Sequence, residues 1–422
     1  MISGNRSSYT NQSIFLAASF LFAGVLPAAD WHQFRGPTGQ GTSQSTNVPT
    51  EWDQAKNVVW KESLKGQGWS SPVLSDGRIY LTAAVPLNDA EKPDLSLQTL
   101  CLTQKDGKVV WAKQVFQTNG PSSPKIHSKN SPASPTPIVS NGRVYVHFGH
   151  QGTACLSLDG KVVWSNSSLS YKPVHGNGGS PVLHDGKLFF SIDGAQQTSV
   201  IALNADDGSV AWRTERNSDA PRKFSFTTPA IIKVDGKPQL ISPASNVVHA
   251  LNPSNGEILW FARYDGYSVI PRPVYGNGLV YICTGYNTPS LLAIRPTGEG
   301  DVTDTHIAWT LKKGIPHTPS LMLLDKELYM VSDRGIASCL NAITGEAHWQ
   351  QRIGSAYSAS PFYSEGKIYF LSEDGTTTVV KRSKEYQEIA VNKIGERTLA
   401  SVAPATDTLY IRTAKHLFRV GK

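Results

Sequence analysis

The chain has 422 residues, of which 39% are hydrophobic and 17% are charged, and this composition suits a globular protein with a sizeable core. Its formal net charge of +7 is moderate for this length, so the placement of the charges matters more than their number. After the N-terminal segment no run is apolar for long enough to cross a bilayer, which excludes a later membrane span.

Residues 1–29 have the layout of a secretory signal peptide. Arg6 supplies a positive charge, Ile14 to Leu26 form a short apolar run, and small residues follow up to Ala29. We therefore predict export, cleavage near Ala29, and a periplasmic or secreted mature protein; a buried N-terminal helix is the alternative. No cysteine stands near the predicted cleavage site, so no lipid anchor is expected.

Residues 30–52 are predicted to form an N-terminal arm ahead of the repeats. The arm contains the phrase WHQFRGPTGQG, which begins at Trp31. Such a segment could pack across the domain or dock a partner, and the sequence leaves both interpretations open.

Residues 53–422 repeat one phrase eight times: a small residue, a proline, an apolar run, a turn pair and a second apolar run ending in an aromatic residue. The phrase reads SPVLSDGRIY at Ser71 and TPIVSNGRVY at Thr136. Asp-Gly and Asn-Gly between two β-rich runs predict a hairpin, because both turn residues must accept positive φ. The prolines assigned to the repeats are Pro72, Pro137, Pro181, Pro229, Pro273, Pro319, Pro361 and Pro404.

A second hairpin follows in most repeats and carries a glycine with a tryptophan four residues later. Four strands in about 45 residues form one propeller blade. We therefore predict an all-β fold, an eight-bladed β-propeller of four-stranded antiparallel blades. The repeated tryptophan is predicted to pack between neighbouring blades rather than to stack on a ligand. These structural tryptophans are Trp60, Trp111, Trp164, Trp212, Trp260, Trp309 and Trp349.

The ends of the repeat region predict how the ring closes. The last repeat stops three strands into a blade, while the run from Asn57 to Trp60 has the pattern of an isolated fourth strand. We therefore predict that this N-terminal strand completes the last blade.

The hairpins with Gly-x-x-x-Trp turns resemble the quinoprotein alcohol dehydrogenase-like superfamily, the propellers with PQQ-like repeats, from about Trp52 to Lys422. The arm phrase and KNSPASPTPIVSNGRVYVHFG from Lys129 resemble a secreted subgroup common in planctomycete-type bacteria. That subgroup is described as PQQ-like or as similar to BamB, the propeller lipoprotein of the outer-membrane assembly machinery. Because unrelated activities share this fold, function must be argued from the site.

The resemblance implies one enzymatic alternative, a PQQ-dependent oxidoreductase acting on alcohols or sugars. Such enzymes hold pyrroloquinoline quinone (PQQ) beside a divalent cation, usually Ca²⁺, and hard cations need several oxygen ligands. The segments that connect successive blades should line one mouth of the propeller, yet they contain only Asp219, Asp265 and Glu396 as acids, and adjacent cysteines are absent from the sequence. We therefore predict no catalytic residue, no metal site and no cofactor.

Two further functional interpretations concern the same connecting segments. His127, His175 and His317 occupy comparable positions, and we interpret them as hydrogen-bonded structural groups rather than metal ligands. A hydrolase or lyase acting on a polyanionic sugar is a third function class, which no carboxylate pair in the sequence favours.

Basic and aromatic residues predominate in the connecting segments and predict a binding surface. We therefore expect an exported, non-catalytic scaffold that binds an envelope protein, an anionic glycan or a carboxylate-bearing ligand, but not nucleic acid; the alternative is that several of the charges are simply solvated. The predicted basic face contains Lys65, Lys129, Lys172, Arg222, Lys223, Arg263, Lys313, Arg352 and Arg397. The predicted funnel lining contains Trp69, Asn130, His175, Asn177, Phe226, Arg272, His317 and Tyr357.

Overall fold

The structure, a computed structural model, describes residues 1, 2, 4, 31–216, 218–286 and 288–422. The predicted signal peptide and its cleavage site, residues 1–29, lie outside the described residues except for positions 1, 2 and 4. Among the residues that are described, no helix combines the length and the apolar character needed to cross a membrane.

Strands account for nearly all the regular structure. In chain order, β1 is Val58–Ser63, and blade 1 contains β2 (Val73–Ser75), β3 (Arg78–Pro86), β4 (Leu95–Thr103) and β5 (Val109–Thr118). Blade 2 contains β6 (Ile138–Ser140), β7 (Arg143–His147), β8 (Thr153–Ser157) and β9 (Val162–Asn166). Blade 3 contains β10 (Val182–His184), β11 (Lys187–Asp193), β12 (Thr198–Asn204) and β13 (Val210–Glu215). Blade 4 contains β14 (Ala230–Val234), β15 (Lys237–Ala244), β16 (Val247–Leu251) and β17 (Ile258–Arg263).

The second half of the ring follows the same plan. Blade 5 contains β18 (Val274–Gly276), β19 (Leu279–Cys283) and β20 (Leu291–Ile294), then β21 (Gly300–Asp301) and a short helix, α1 (Thr303–His306), and ends with β22 (Ile307–Leu311). Blade 6 contains β23 (Met322–Leu324), β24 (Glu327–Val331), β25 (Ile336–Asn341) and β26 (Ala347–Arg352). Blade 7 contains β27 (Phe362–Ser364), β28 (Lys367–Leu371), β29 (Thr376–Lys381) and β30 (Glu388–Lys393). Blade 8 contains β31 (Ala403–Ala405), β32 (Thr408–Arg412) and β33 (His416–Gly421).

The predicted eight-bladed propeller is confirmed within the described residues. The blades are antiparallel sheets whose strands follow chain order from the axis outward, except that β1 is the outermost strand of blade 8. Blade 4 carries an additional strand, because β21 pairs in parallel with β17 through Trp260 opposite Gly300. The first hairpins turn as predicted; in blade 1, Asp76 and Gly77 have φ of 47° and 71°, the combination that a type I′ turn needs.

Two of the prolines assigned to the repeats do not hold the repeat position. In blade 1, Ser71 stands two residues before β2, and the equivalent residues of blades 6 and 8 are Ser320 and Ser401. Pro319 and Pro404 are therefore offset from the position of Pro72. Seven of the eight blades have Ser or Thr two residues before the inner strand, and the proline after this residue is optional.

The repeated tryptophan joins each blade to the next one. Six of the seven indole groups donate their N–H to a backbone carbonyl in the outer turn of the following blade, at 2.9–3.2 Å. In blade 4, Trp260 donates instead to Gln239 of its own blade. A Cβ on Gly256 would lie 2.6 Å from the Trp212 ring, so the turn needs a glycine there. The six donors are Trp60, Trp111, Trp164, Trp212, Trp309 and Trp349.

The hydrophobic core lies between the blades. Its clusters of buried side chains each join neighbouring blades, as where Phe190 of blade 3 packs with Tyr145 of blade 2. The largest cluster joins blades 7, 8 and 1 and takes in Trp31 and Trp52 of the N-terminal arm. Stability therefore depends on the interfaces around the ring, as expected when each repeat buries its apolar face against its neighbours.

The ring closes as predicted. β1 pairs antiparallel with β33 as the outermost strand of blade 8, and Trp60 stands opposite Arg419. On β1, Lys61 forms an ion pair of 2.8 Å with Glu396. Burial would raise the pKa of Glu396, but hydrogen bonds from Lys61, Thr413 and His416 outweigh burial and lower the pKa to about 2.

Replacing Trp212 with Ala should lower the free energy of unfolding by about 3–5 kcal/mol, because a large side chain packed at a blade interface leaves a cavity. The measurement is urea unfolding monitored by far-UV circular dichroism, a signal that reports the strands. Val210→Ala on the same strand is the control, since Val210 is 43% exposed and its truncation should cost less than about 0.5 kcal/mol. Equal losses in both variants would contradict an interface role for the indole.

Replacing Glu396 with Gln should destabilise the closed ring by about 1 kcal/mol at pH 7, a value discounted for partial exposure. Since the pKa of Glu396 is lowered to about 2, its carboxylate stabilises the fold above the ordinary carboxyl pKa, and this contribution is lost as the pH falls toward 2. The difference between wild type and variant should therefore shrink between pH 5 and pH 3 in urea titrations. A difference that is constant with pH would refute this assignment.

Candidate binding site in the central cavity

Hydrogen bonds between hydroxyls and backbone amides connect the inner ends of the blades. The N–H of Ser71 donates to Thr136 Oγ1 at 3.0 Å, and the N–H of Thr136 donates to Ser180 Oγ at 2.9 Å. The same bond recurs around the axis, and Arg272 replaces the hydroxyl residue in blade 5. The hydroxyl ring consists of Ser71, Thr136, Ser180, Thr228, Ser320, Ser360 and Ser401, all of which line the central cavity.

The N-terminal arm closes the end of the cavity that faces the inner hairpin turns. The Trp31 carbonyl accepts from Leu74 N at 3.0 Å, and the His32 carbonyl accepts from Val139 N at 2.9 Å. Further along, the arm binds inner strands of blades 5 to 8, and Phe34 lines the cavity as its floor. The arm therefore packs across the propeller, one of the two roles that the sequence left open.

The cavity has a volume of about 550 Å³ and a mouth formed largely by aromatic rings. The rings follow one another along the rim at centroid distances of 5.0–5.7 Å. This volume falls in the range of ligand pockets, roughly 300–1,000 Å³. We call this row of side chains the aromatic rim; in rim order it consists of His127, His175, Phe224, Tyr267, Tyr286 and His317.

Two arginines lie over aromatic rings at the mouth. The guanidinium of Arg222 lies 4.8 Å from the Tyr267 ring centroid, and that of Arg397 lies 5.7 Å from the Trp69 centroid. Each guanidinium also donates one hydrogen bond, Arg222 to the Tyr267 hydroxyl and Arg397 to the Ser128 carbonyl, and both bring positive charge to the mouth.

A long connection between blades 1 and 2, residues 119–137, crosses part of the mouth, and we call it the strap. On one side, the strap residue Asn130 donates to the His175 carbonyl at 3.0 Å. On the other side, Lys129 forms an ion pair of 2.7 Å with Glu373 of blade 7, and Arg397 donates to the Ser128 carbonyl at 2.9 Å. The strap is thus held at both rims by a few polar contacts.

The mouth contains acids that the sequence reasoning missed, so the expectation of an almost acid-free mouth is wrong. Asp333 lines the cavity and accepts hydrogen bonds from the backbone of His317 and from Thr318. Glu373 accepts from Ser358 at 2.6 Å as well as from Lys129. Both acids lie in turns between the second and third strands of a blade. The sequence prediction of the mouth included the connections between blades and not these turns.

The structure brings most of the predicted funnel residues together. Those that line the cavity are Trp69, Asn130, His175, Phe226 and His317. Three others do not: Tyr357 is fully buried between blades 6 and 7, Arg272 lies under the arm, and Asn177 accepts from Tyr171 outside the lining. Tyr286 and Phe34 line the cavity without having been predicted; Tyr286 lies in a blade 5 turn and Phe34 in the arm.

The predicted basic face is dispersed around the mouth. Only Lys129 and Arg222 line the cavity, and Arg397 covers Trp69 at the rim. Arg263 pairs with Asp219 at 3.4 Å, and Arg352 binds the carbonyl of Arg334 at 2.8 Å. In the described part of the chain the remaining members, Lys65, Lys172, Lys223 and Lys313, form no ion pair within 4.0 Å.

The residues at the mouth do not match a Ca²⁺–PQQ site. Within residues 31–216, 218–286 and 288–422, no three His, Cys, Asp or Glu side chains converge as a metal site. Among the described residues that line the cavity Asp333 is the one carboxylate, whereas a hard cation requires several oxygen ligands.

The mouth also contains no activated nucleophile of the familiar kind. Across the described residues, no histidine hydrogen-bonds to a hydroxyl of the ring, whose oxygens accept backbone N–H groups instead. Burial and the neighbouring His127 lower the pKa of His175, which favours the neutral form of its imidazole. The arrangement is able to stack, hydrogen-bond and attract an anion.

Comparison with known proteins relates the propeller to a described sequence family. The sequence model of a family described as outer membrane protein assembly factor BamB matches residues 42–191, 98–336 and 301–415. Among curated proteins, outer membrane protein assembly factor BamB of Yersinia pestis is 26% identical over 203 residues, which are 43% of this chain and 49% of that protein. The chain thus matches about half the length of the Yersinia relative.

Further similarities agree with this family. BamB of Salmonella typhimurium is 21% identical over 303 residues, 64% of this chain and 71% of that protein. The crystal structure of BamB from Moraxella catarrhalis superposes with a TM-score of 0.58 and 14% identity, covering 86% of this chain and 99% of that one, and so shares the fold. With matches across nearly the whole repeat region, the chain belongs to the BamB-like family of PQQ-repeat propellers.

Proposed function

We propose that this protein is a non-catalytic scaffold of the bacterial envelope that binds a protein partner at the mouth of its central cavity. The aromatic rim is the observation that carries the proposal, since rings of this kind dominate the energetics of protein interfaces. The names of the relatives, outer membrane protein assembly factors, support a protein partner in the envelope.

The rim favours a partner segment that combines an aromatic or apolar side chain with a carboxylate. Tyr286 is 52% exposed and stacks on His317, so one face of its ring is available for a further contact. Arg222 and Arg397 supply positive charge within the same mouth. A planar guanidinium binds a carboxylate more effectively than an ammonium group does.

The wall below the rim can complete such a site. Six of the seven hydroxyls of the ring, all but that of Ser71, accept one backbone N–H and retain their own O–H as a donor toward the cavity. An entering segment can therefore satisfy polar atoms inside the cavity after its apolar side chain has passed the rim. The proposal includes export through the signal peptide predicted at residues 1–29.

Replacing Tyr286 with Ala should weaken peptide binding about fivefold to tenfold, as expected for the loss of an aromatic contact at an interface. The probes are fluorescein-labelled ten-residue peptides with alternating aromatic residues, with and without one carboxylate, measured by fluorescence anisotropy. The carboxylate peptides should bind more tightly to the wild-type protein.

Tyr386→Ala is the matched control, because Tyr386 contacts Trp349 and Glu388 at the outer side of blade 7. It should leave the affinity unchanged. Equal weakening by both variants, or no peptide binding by the wild type, would contradict the proposal. Binding of an acidic oligosaccharide in place of the peptides, with the same loss in Tyr286→Ala, would replace the protein partner by a glycan.

Addition of PQQ with Ca²⁺ should leave the apparent melting temperature unchanged and should support no dye-coupled alcohol oxidation. The reason is that the described lining of the cavity offers one carboxylate, Asp333, and Ca²⁺ needs several oxygen ligands. Because a ligand that binds only the native state raises the melting temperature, even micromolar binding would register. A clear shift accompanied by turnover would make the protein a quinoprotein oxidoreductase.

A further inference from the structure

Two arginines lie buried on the axis at the closed end of the cavity. Arg35 comes from the N-terminal arm and is 2% exposed, and Arg272 comes from blade 5 and is 5% exposed. Arg272 holds the position at which the other seven blades have Ser or Thr. Blade 5 therefore differs from the other blades at this position, and the arginine found there adds a second positive charge near Arg35.

The arm is shaped around the two guanidinium groups. A Cβ on Gly39 would lie 2.3 Å from Arg272 Nη1, and a Cβ on Gly41 would lie 2.7 Å from Arg35 Nη2. Arg35 itself has a φ of 64°, a left-handed conformation that is costly for a residue with a side chain. The glycines of the phrase FRGPTGQG and this strained residue thus serve to enclose the arginine pair.

The pair has only neutral partners within the described residues. Arg35 Nη2 donates to the Gln40 and Leu321 carbonyls, both at 2.6 Å, and Arg272 Nη1 donates to the Phe34 carbonyl at 2.9 Å. No carboxylate of the described chain pairs with either side chain. Arg35 Nε, Arg35 Nη1 and Arg272 Nε are buried there without an acceptor.

Both side chains stay charged at neutral pH. Burial, followed by the charge of Arg272, lowers the pKa of Arg35 to about 9, and burial lowers the pKa of Arg272 to about 10. Two buried positive charges repel each other and lose their hydration, a combination that proteins tolerate only with compensating negative charge.

We propose that Arg35 and Arg272 together bind a small monovalent anion of halide size at the closed end of the propeller axis. The unpaired N–H groups supply the donors, and the anion reduces the buried charge of the pair. Phe34 and the arm glycines enclose the pair closely, so the site favours a small anion over a phosphate ester or a peptide. This site is separate from the aromatic rim, and its existence does not depend on the proposed function.

Bromide is the probe, because it replaces chloride and is visible by anomalous diffraction. Crystals of the protein grown in sodium bromide should show an anomalous peak within hydrogen-bonding distance of both guanidinium groups. In solution, replacing gluconate with bromide at constant ionic strength should raise the melting temperature by about 2–4 °C, in a saturable manner.

Arg272→Met removes the charge while keeping most of the side-chain volume, and it should abolish the bromide-dependent shift. Arg412→Met is the matched control: Arg412 is also buried, but it is a single arginine whose guanidinium binds Ser70 and the Thr82 carbonyl. The control should lower the melting temperature and keep the bromide response.

Two results would overturn the anion site. One is crystals in bromide without an anomalous peak at the arginine pair, a test that needs no variant and remains decisive if Arg272→Met does not fold. The other is a bromide response of equal size in wild type and Arg272→Met, which would assign the shift to general ion effects.

Discussion

The bond from a backbone N–H of one blade to a Ser or Thr hydroxyl of the next sets the spacing of the inner strands, and the central cavity depends on that spacing. Short hydroxyl side chains keep the strands close to the axis while leaving an open channel between them. They also cover the channel wall with polar groups, so the feature that holds the ring together lines the cavity as well. At the outer side of the ring, the indole N–H groups connect neighbouring blades by donating hydrogen bonds to carbonyls in their turns.

The fold was predictable because the repeat carries redundant signals. One closed ring was indicated by the Asp-Gly and Asn-Gly turns, by the glycine before each tryptophan and by the isolated strand before Ser63. Because the signal is repeated, a misplaced proline in one repeat changed the predicted fold little. Pro319 and Pro404 show the limit of pattern matching, because proline was used to align the repeats. The inner hydrogen bonds of the ring depend instead on the hydroxyl of Ser320 or Ser401.

The site was only partly predictable, since side-chain direction does not follow from position in a loop. Tyr357 stands in a connecting segment like Trp69, yet it points into the core between blades 6 and 7. Asp333 and Glu373 reach the mouth from turns within blades, and Phe34 reaches the cavity from an arm that precedes the repeats. These residues meet only through the circular arrangement, so no local sequence signal joins them.

The pairing of β1 with β33 has a consequence for how the molecule acquires its structure. The two strands lie at opposite ends of the repeat region, so the contact between them has a very long sequence separation, and such contacts form late and slowly. Until β33 is available, the edge of β1 and the apolar face of the arm have no partner. The arm, which binds blades from both halves, can seat only on a completed ring. Export as proposed would therefore keep both ends of the repeat region unpaired until the last strand has crossed the membrane, and exposed strand edges of this kind need protection from aggregation.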